Sequence, residues 1–167
     1  YAFQMGAIIA QEALAIGINW VLAPVVDVNN NPDNPVINIR AFGETSTEVS
    51  QLTTAFIQGA QQYRVLTTAK HFPGHGDTAV DSHLELPVLP HTPERLAEIE
   101  LPPFAAAIEA GVDTVMSAHL LIPAWDAEKP ATLSGRILTG ELRQNLGFEG
   151  LIVTDALVMG AIANGYG

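Results

Sequence analysis

Four short apolar runs, each ending on a polar or ionisable residue, constrain this chain more than any other feature. Trp20–Val26 runs into Asp27, Val65–Ala69 into Lys70-His71, Asp113–Ala118 into His119, and Leu151–Thr154 into Asp155. Helix-like segments separate them. Strands joined by crossover helices lie parallel, because each helix returns the chain to the same end of the sheet. Parallel strands gather ligand-binding and catalytic groups at their carboxyl ends. The expected fold class is therefore α/β. No G-x-G-x-x-G or P-loop run follows any of the four strands, so a nucleotide-binding doubly wound sheet lacks support. The better match is a TIM-like (β/α)8 barrel. Such a barrel takes about 250 residues, and these 167 residues would supply part of one.

Helix signals punctuate the strands. Residues 1–16 carry helical apolar spacing and stop at Gly17. Thr45-x-x-Glu48 is a capping box that opens a helix to about Tyr63. Thr92-Pro93-Glu94 combines an N-cap, proline at N1 and an acidic first turn, which starts a helix to Ala110 that stops at Gly111. Ser134 caps a further helix that ends near Gly147. The loop from Lys70 to Thr92 is far longer than most βα connections, which points to function.

Composition narrows the partners. A formal charge of −11, from 18 acidic and 7 basic residues, disfavours a phosphate-backbone partner, so no nucleic acid is expected. No apolar run approaches the roughly 18 residues that cross a membrane. Zero cysteines exclude disulfides and thiolate metal sites. Tyr1 opens inside a helix-like segment without an initiator Met, and Gly167 follows closely on Asp155; the chain reads as an internal piece of something larger.

The chemistry concentrates in Lys70-His71-Phe72-Pro73-Gly74-His75-Gly76-Asp77, followed by Asp81-Ser82-His83. Asp81 can accept a hydrogen bond from one ring nitrogen of His83 and leave the other for proton transfer; the bland alternative is a solvated loop with two ordinary polar residues. Asp155 can cap the helix after it, or attack an anomeric carbon as a nucleophile. Lys70 follows a buried strand, so its charge needs a partner, and sugar hydroxyls or Asp155 would serve. Arg40 sits among apolar residues and glycine, the setting of a positioned guanidinium. His71, His75, Asp77 and His83 raise a metal site, but Pro73 and Gly74 rule out the helix that His71-x-x-x-His75 spacing would need. His75 reads instead as a loop-shaping residue, and His119 as a buried, hydrogen-bonded one.

These motifs resemble the signature of glycoside hydrolase family three, and more narrowly its β-N-acetylhexosaminidase branch. Pro24-Val25-Val26-Asp27-Val28-Asn29, Arg40-Ala41-Phe42-Gly43 and Val153-Thr154-Asp155-Ala156-Leu157 are similar to the same family in the same order. The resemblance implies a TIM-like barrel, here without its first and last strands and without an upstream Asp-x-Glu-Gly-Gly segment. It implies retaining hydrolysis of terminal β-linked N-acetylglucosamine from muropeptide-derived sugars or chitooligosaccharides, without a metal or cofactor. By the same resemblance Asp155 matches the nucleophile, His83 the acid/base and Asp81 its dyad partner. Arg40, Lys70 and His71 match sugar-binding residues, with Asp27 a further contact. A cytoplasmic role in cell-wall recycling is the family-level expectation. A β-glucosidase, xylosidase or phosphorylase of the same family, or a non-catalytic carbohydrate-binding piece, remain open alternatives.

Overall fold

The computed structural model describes residues 1–166. In chain order the elements are α1 (Ala2–Ala15), α2 (Ser46–Ala60), β1 (Thr68–Phe72), α3 (Pro93–Ile99), α4 (Leu101–Glu109), β2 (Thr114–Ser117), a π-helix (Arg136–Asn145), β3 (Leu151–Thr154) and α5 (Gly160–Tyr166). The strands form one parallel sheet in the order β1-β2-β3. This is the α/β architecture that the alternating pattern predicts.

The first expected strand is broken. Trp20–Val26 lies parallel to β1, but it pairs only at Trp20–Leu66 and Val25–Lys70, in registers that differ by one residue. Pro24 explains the gap, since it has no N–H to give to the ladder. Its carbonyl still accepts from the Lys70 amide at 3.2 Å, and the Val26 amide donates to the Lys70 carbonyl at 2.8 Å. The segment thus delivers Asp27 beside Lys70 and His71 even without forming a regular strand. The peptide bonds Ala23–Pro24, Lys70–His71 and Phe72–Pro73 are cis.

Three other expectations shift. The second strand begins later and runs further than 65–69, so Lys70 and His71 lie inside β1 rather than after it. The helix expected from Thr92 to Ala110 is two, divided at Glu100. Pro102 and Pro103 cannot donate back to the preceding turn, and their rings crowd it, which ends the first helix there. The segment after Ser134 winds as a π-helix: the Leu146 amide donates to the Glu141 carbonyl, five residues earlier, at 2.9 Å. The three capping signals hold, with the Thr45, Thr92 and Ser134 hydroxyls accepting from the amides of Glu48, Arg95 and Ile137.

The core lies between the sheet and its helices. Ala69, Phe72, Val115 and Ala118 from the sheet layer pack with Val49 and Ile57 of α2, Leu96 of α3 and Phe104 and Ala107 of α4. Phe72 and Phe104 meet edge to face, with centroids 5.1 Å apart. Both strands β1 and β2 are buried on their two faces, whereas β3 is partly exposed. It is the buried strand β1 that carries Lys70 and His71.

Candidate active site

Asp27 organises the floor of the site. Its carboxylate is fully buried. It accepts the His71 Nδ1 hydrogen at 2.7 Å, the His75 amide at 2.7 Å, and the His71 amide at 3.2 Å and 3.3 Å. The His71 amide is available because the β1–β2 register slips between Lys70 and Phe72; a bulge of this kind re-aims a residue out of the ladder. Burial alone would raise the Asp27 pKa, but the charge and hydrogen bonds of His71 and the His75 contacts outweigh it and hold the carboxyl below its ordinary 3.8. Asp27, expected as a sugar contact, is enclosed, with both oxygens engaged by these two histidines.

Lys70 draws the remaining strand ends together. Half-buried, its ammonium is disfavoured by desolvation and by the Arg40 guanidinium, so its pKa is lowered, while Asp155 and Asp27 pull the other way. Arg40, Lys70, Asp27 and Asp155 therefore share one electrostatic neighbourhood. Asp155 follows β3 directly; its amide donates to the Ser117 carbonyl at 3.2 Å, and its Oδ1 accepts the Ala156 amide at 2.8 Å. Arg40 closes a 3-10 turn, Asn38–Arg40, and its exposed guanidinium donates to the Val36 carbonyl at 3.0 Å. An open depression of about 240 Å³ beside it is lined by Asn29, Asn38, Phe42, Gly43 and Glu44.

The dyad stands apart from that floor. The Asp81 Oδ1 accepts the His83 amide at 2.8 Å and the His83 Nδ1 hydrogen at 2.7 Å. The His83 amide holds the Asp81 carboxyl below its usual value; slight burial opposes this and the imidazole adds to it. The His83 side chain is 60% exposed, and Asp81 engages the ring through Nδ1.

His75 links floor and dyad. Its Nδ1 meets the Thr78 hydroxyl at 2.8 Å and its Nε2 the Ser82 hydroxyl at 3.0 Å. Burial pushes its pKa down and so favours the neutral ring, while Asp27 pulls the other way. Gly76 lets this loop close on the Asp27 segment, because a Cβ there would overlap the Val28 carbonyl. Asp77 turns the other way, to His91 Nε2 at 2.8 Å and Arg95 at 3.3 Å, and Arg95 also grips buried Glu100 at 2.6 Å and 2.8 Å. The four residues raised as metal ligands thus point to separate partners. Among the described residues no cluster of three or more His, Asp or Glu is placed to hold an ion.

One contributor escapes a reading of the sequence, and a second, His119, is buried and hydrogen-bonded as expected. Asn34 reads as one of several turn residues, yet its buried amide donates to the carbonyls of His75 and Gly76 at 2.8 Å and 2.9 Å and accepts from Val36 and Ile37. It locks the turn that carries Arg40 onto the histidine loop. His119 is buried, and its Nε2 donates to the Ala156 carbonyl at 3.1 Å while Nδ1 faces Thr132 at 2.8 Å. It thereby fixes the peptide next to Asp155. Only the signal of a histidine at a strand end marks it.

Comparisons with known proteins identify the family. The model of the glycosyl hydrolase family 3 N-terminal domain matches residues 1–167. β-Hexosaminidase A of Pseudoalteromonas piscicida is 43% identical over 98% of this chain and 29% of its own length. A solved glycoside hydrolase family 3 β-N-acetylglucosaminidase from Paenibacillus sp. str. FPU-7 is 50% identical with a TM-score of 0.98, over 99% of this chain and 32% of that one. The solved β-glucoside phosphorylase BglX is 35% identical with a TM-score of 0.91, over 95% and 30%. The chain thus spans about a third of each of these relatives or less. A full-length family match, and neighbours that superimpose along nearly all of its strands and helices, place the chain in the glycosyl hydrolase family 3 N-terminal domain.

Proposed function

We propose that this chain carries the catalytic groups of a retaining β-N-acetylglucosaminidase, arranged at the carboxyl ends of a TIM-like barrel. The observation that carries the reading is the Asp81–His83 pair, in which a carboxylate orients an exposed imidazole at 2.7 Å. In the first step Asp155 attacks the anomeric carbon while protonated His83 gives its Nε2 hydrogen to the glycosidic oxygen. The carbon–oxygen bond breaks, the aglycone leaves as an alcohol, and a glycosyl ester forms on Asp155. In the second step neutral His83 takes a proton from water, whose oxygen attacks the same carbon and frees Asp155 with net retention. Acid and base roles alternate on one ring, which an imidazole can serve because its free nitrogen is a donor in one protonation state and an acceptor in the other. Arg40, Lys70 and His71 bind the sugar, with Asp27 holding His71 in place. Muropeptide-derived sugars or chitooligosaccharides, turned over in the cytoplasm during cell-wall recycling, are the substrates that fit this reading.

The likeness to a β-glucoside phosphorylase favours one second reading, phosphorolysis. A histidine acid/base carries no fixed negative charge to repel phosphate. Both readings are tested by release of 4-nitrophenol from its N-acetyl-β-glucosaminide and its β-glucoside, in the full-length protein, with and without phosphate. Preferential cleavage of the first sugar, insensitive to phosphate, supports the hydrolase; stimulation by phosphate with sugar 1-phosphate as product supports the second reading. Asp155→Ala should lower turnover by on the order of 10⁶-fold, as loss of a nucleophile can. Near-normal turnover in that variant overturns the assignment of Asp155.

A further inference from the structure

The loop that carries the dyad is held from two sides. On the inner side the Ser82 hydroxyl meets His75 Nε2 at 3.0 Å. On the outer side three carbonyls of the loop accept hydrogen bonds from α5: His83 from the Gly160 amide at 2.9 Å, Ser82 from the Ala161 amide at 3.2 Å, and Leu84 from the Asn164 side-chain amide at 3.2 Å. The acid/base histidine is thus docked, backbone to backbone, on the start of α5.

Position 160 sets how closely that docking can occur. A Cβ there would run into the Leu84 carbonyl oxygen, and would lie 2.8 Å from the Leu84 carbonyl carbon and 2.9 Å from the His83 oxygen. Every obstacle is backbone, so no rotamer change relieves it. Restoring ordinary contact, about 3.5 Å or more, requires the loop or the helix to move by something near 1 Å. The glycine φ lies outside the left-handed region, so it is the close approach, not the backbone conformation, that demands glycine. Gly160 also follows Asp155 by only five residues. The Asp155 end of this segment is fixed independently, through the Ser117 carbonyl and through His119 on the Ala156 carbonyl.

We infer that Gly160, with Asn164 beside it, is a positioning residue that sets His83 relative to Asp155. The inference rests on the proposed roles of those two residues. Displacement of a catalytic group by about 1 Å costs up to about 10²-fold. The loss should fall on acid catalysis and spare the sugar-binding groups.

The test compares kcat/KM of Gly160→Ala and wild type, in the full-length protein, on chitobiose and on 2,4-dinitrophenyl N-acetyl-β-glucosaminide. The first needs a proton on its leaving group, and the second does not. A loss of about 10²-fold on chitobiose, with little loss on the aryl glycoside and with azide accelerating turnover and giving the β-glycosyl azide, is the expected result. Product inhibition by N-acetylglucosamine should be unchanged. Gly165→Ala, where a Cβ meets nothing within 4 Å, should behave as wild type. An equal loss on both substrates, or none on either, overturns the inference. Should Gly160→Ala fail to fold, Asn164→Ala, an exposed position that adds no bulk, decides it: a selective loss on chitobiose supports the docking role and an unchanged ratio overturns it. His83→Ala separates the two failures. If it too lacks a substrate-selective loss, the acid/base reading falls and this inference with it; if it shows one and Gly160→Ala does not, the positioning role alone is wrong.

Discussion

Two aspartate–histidine pairs in this molecule share a chemistry and a distance but not an environment. His71 and Asp27 meet at 2.7 Å with side chains 5% and 0% exposed; His83 and Asp81 also meet at 2.7 Å, at 60% and 34%. The first carboxylate also takes two backbone amides and closes the floor under Lys70. The second takes one amide and leaves its histidine in contact with solvent. A buried pair that loses a partner leaves an uncompensated group in low dielectric. An exposed one is screened and contributes little to stability. The same two side chains are therefore sealed into a scaffold in one place and left open to solvent in the other.

The comparison is sharpest in function. His83→Ala should cut turnover of natural glycosides by about 10²–10⁴-fold while the denaturation midpoint stays put; equal losses on natural and activated aryl substrates would make His83 structural instead. Asp27→Ala should do the reverse, lowering unfolding free energy by about 3–5 kcal/mol as measured by urea titration. A midpoint within error of wild type would show that the buried pair is not the scaffold its enclosure suggests.

Acid separates the pairs next. Asp27 titrates in the folded protein below its ordinary 3.8. A depressed carboxyl contributes stability that is complete above the unfolded value and is lost as the pH falls through the folded one. The stability gap between wild type and Asp27→Asn should therefore be constant above pH ~5 and shrink below pH ~4. A gap that holds steady into strong acid would mean that folding leaves the carboxyl's pKa unchanged. The smallest effect is that of Asp81→Asn on stability, under about 0.5 kcal/mol as for most surface changes, though it should still depress natural-glycoside turnover. A large destabilisation would erase the contrast between the pairs.

Much of the framework was legible because it is local. The alternation of apolar runs with helical spacing, the Thr45 and Thr92 caps and the run 151–154 each depend on neighbours within a turn or a strand, and each appears in the structure. The prolines at 102 and 103 were equally local, yet read as part of one long helix; their missing amides divide it. Pro24 acted the same way on the first expected strand. Asn34 was illegible for a different reason. Its partners, His75 and Gly76, lie 41 and 42 residues away, and nothing in a run of asparagines and prolines distinguishes the one that reaches them. The same distance hid the link from Gly160 to His83.

By itself the sequence determined the α/β class, the family and the candidate residues, because side-chain period, capping chemistry and residue type are properties of short segments. Only the tertiary structure decided which aspartate–histidine pair is sealed and which is open. Both pairs are made of the same groups. What separates them is the water that neighbouring segments exclude: β1 and the turn locked by Asn34 close over Asp27, while the loop docked on Gly160 leaves His83 in solvent.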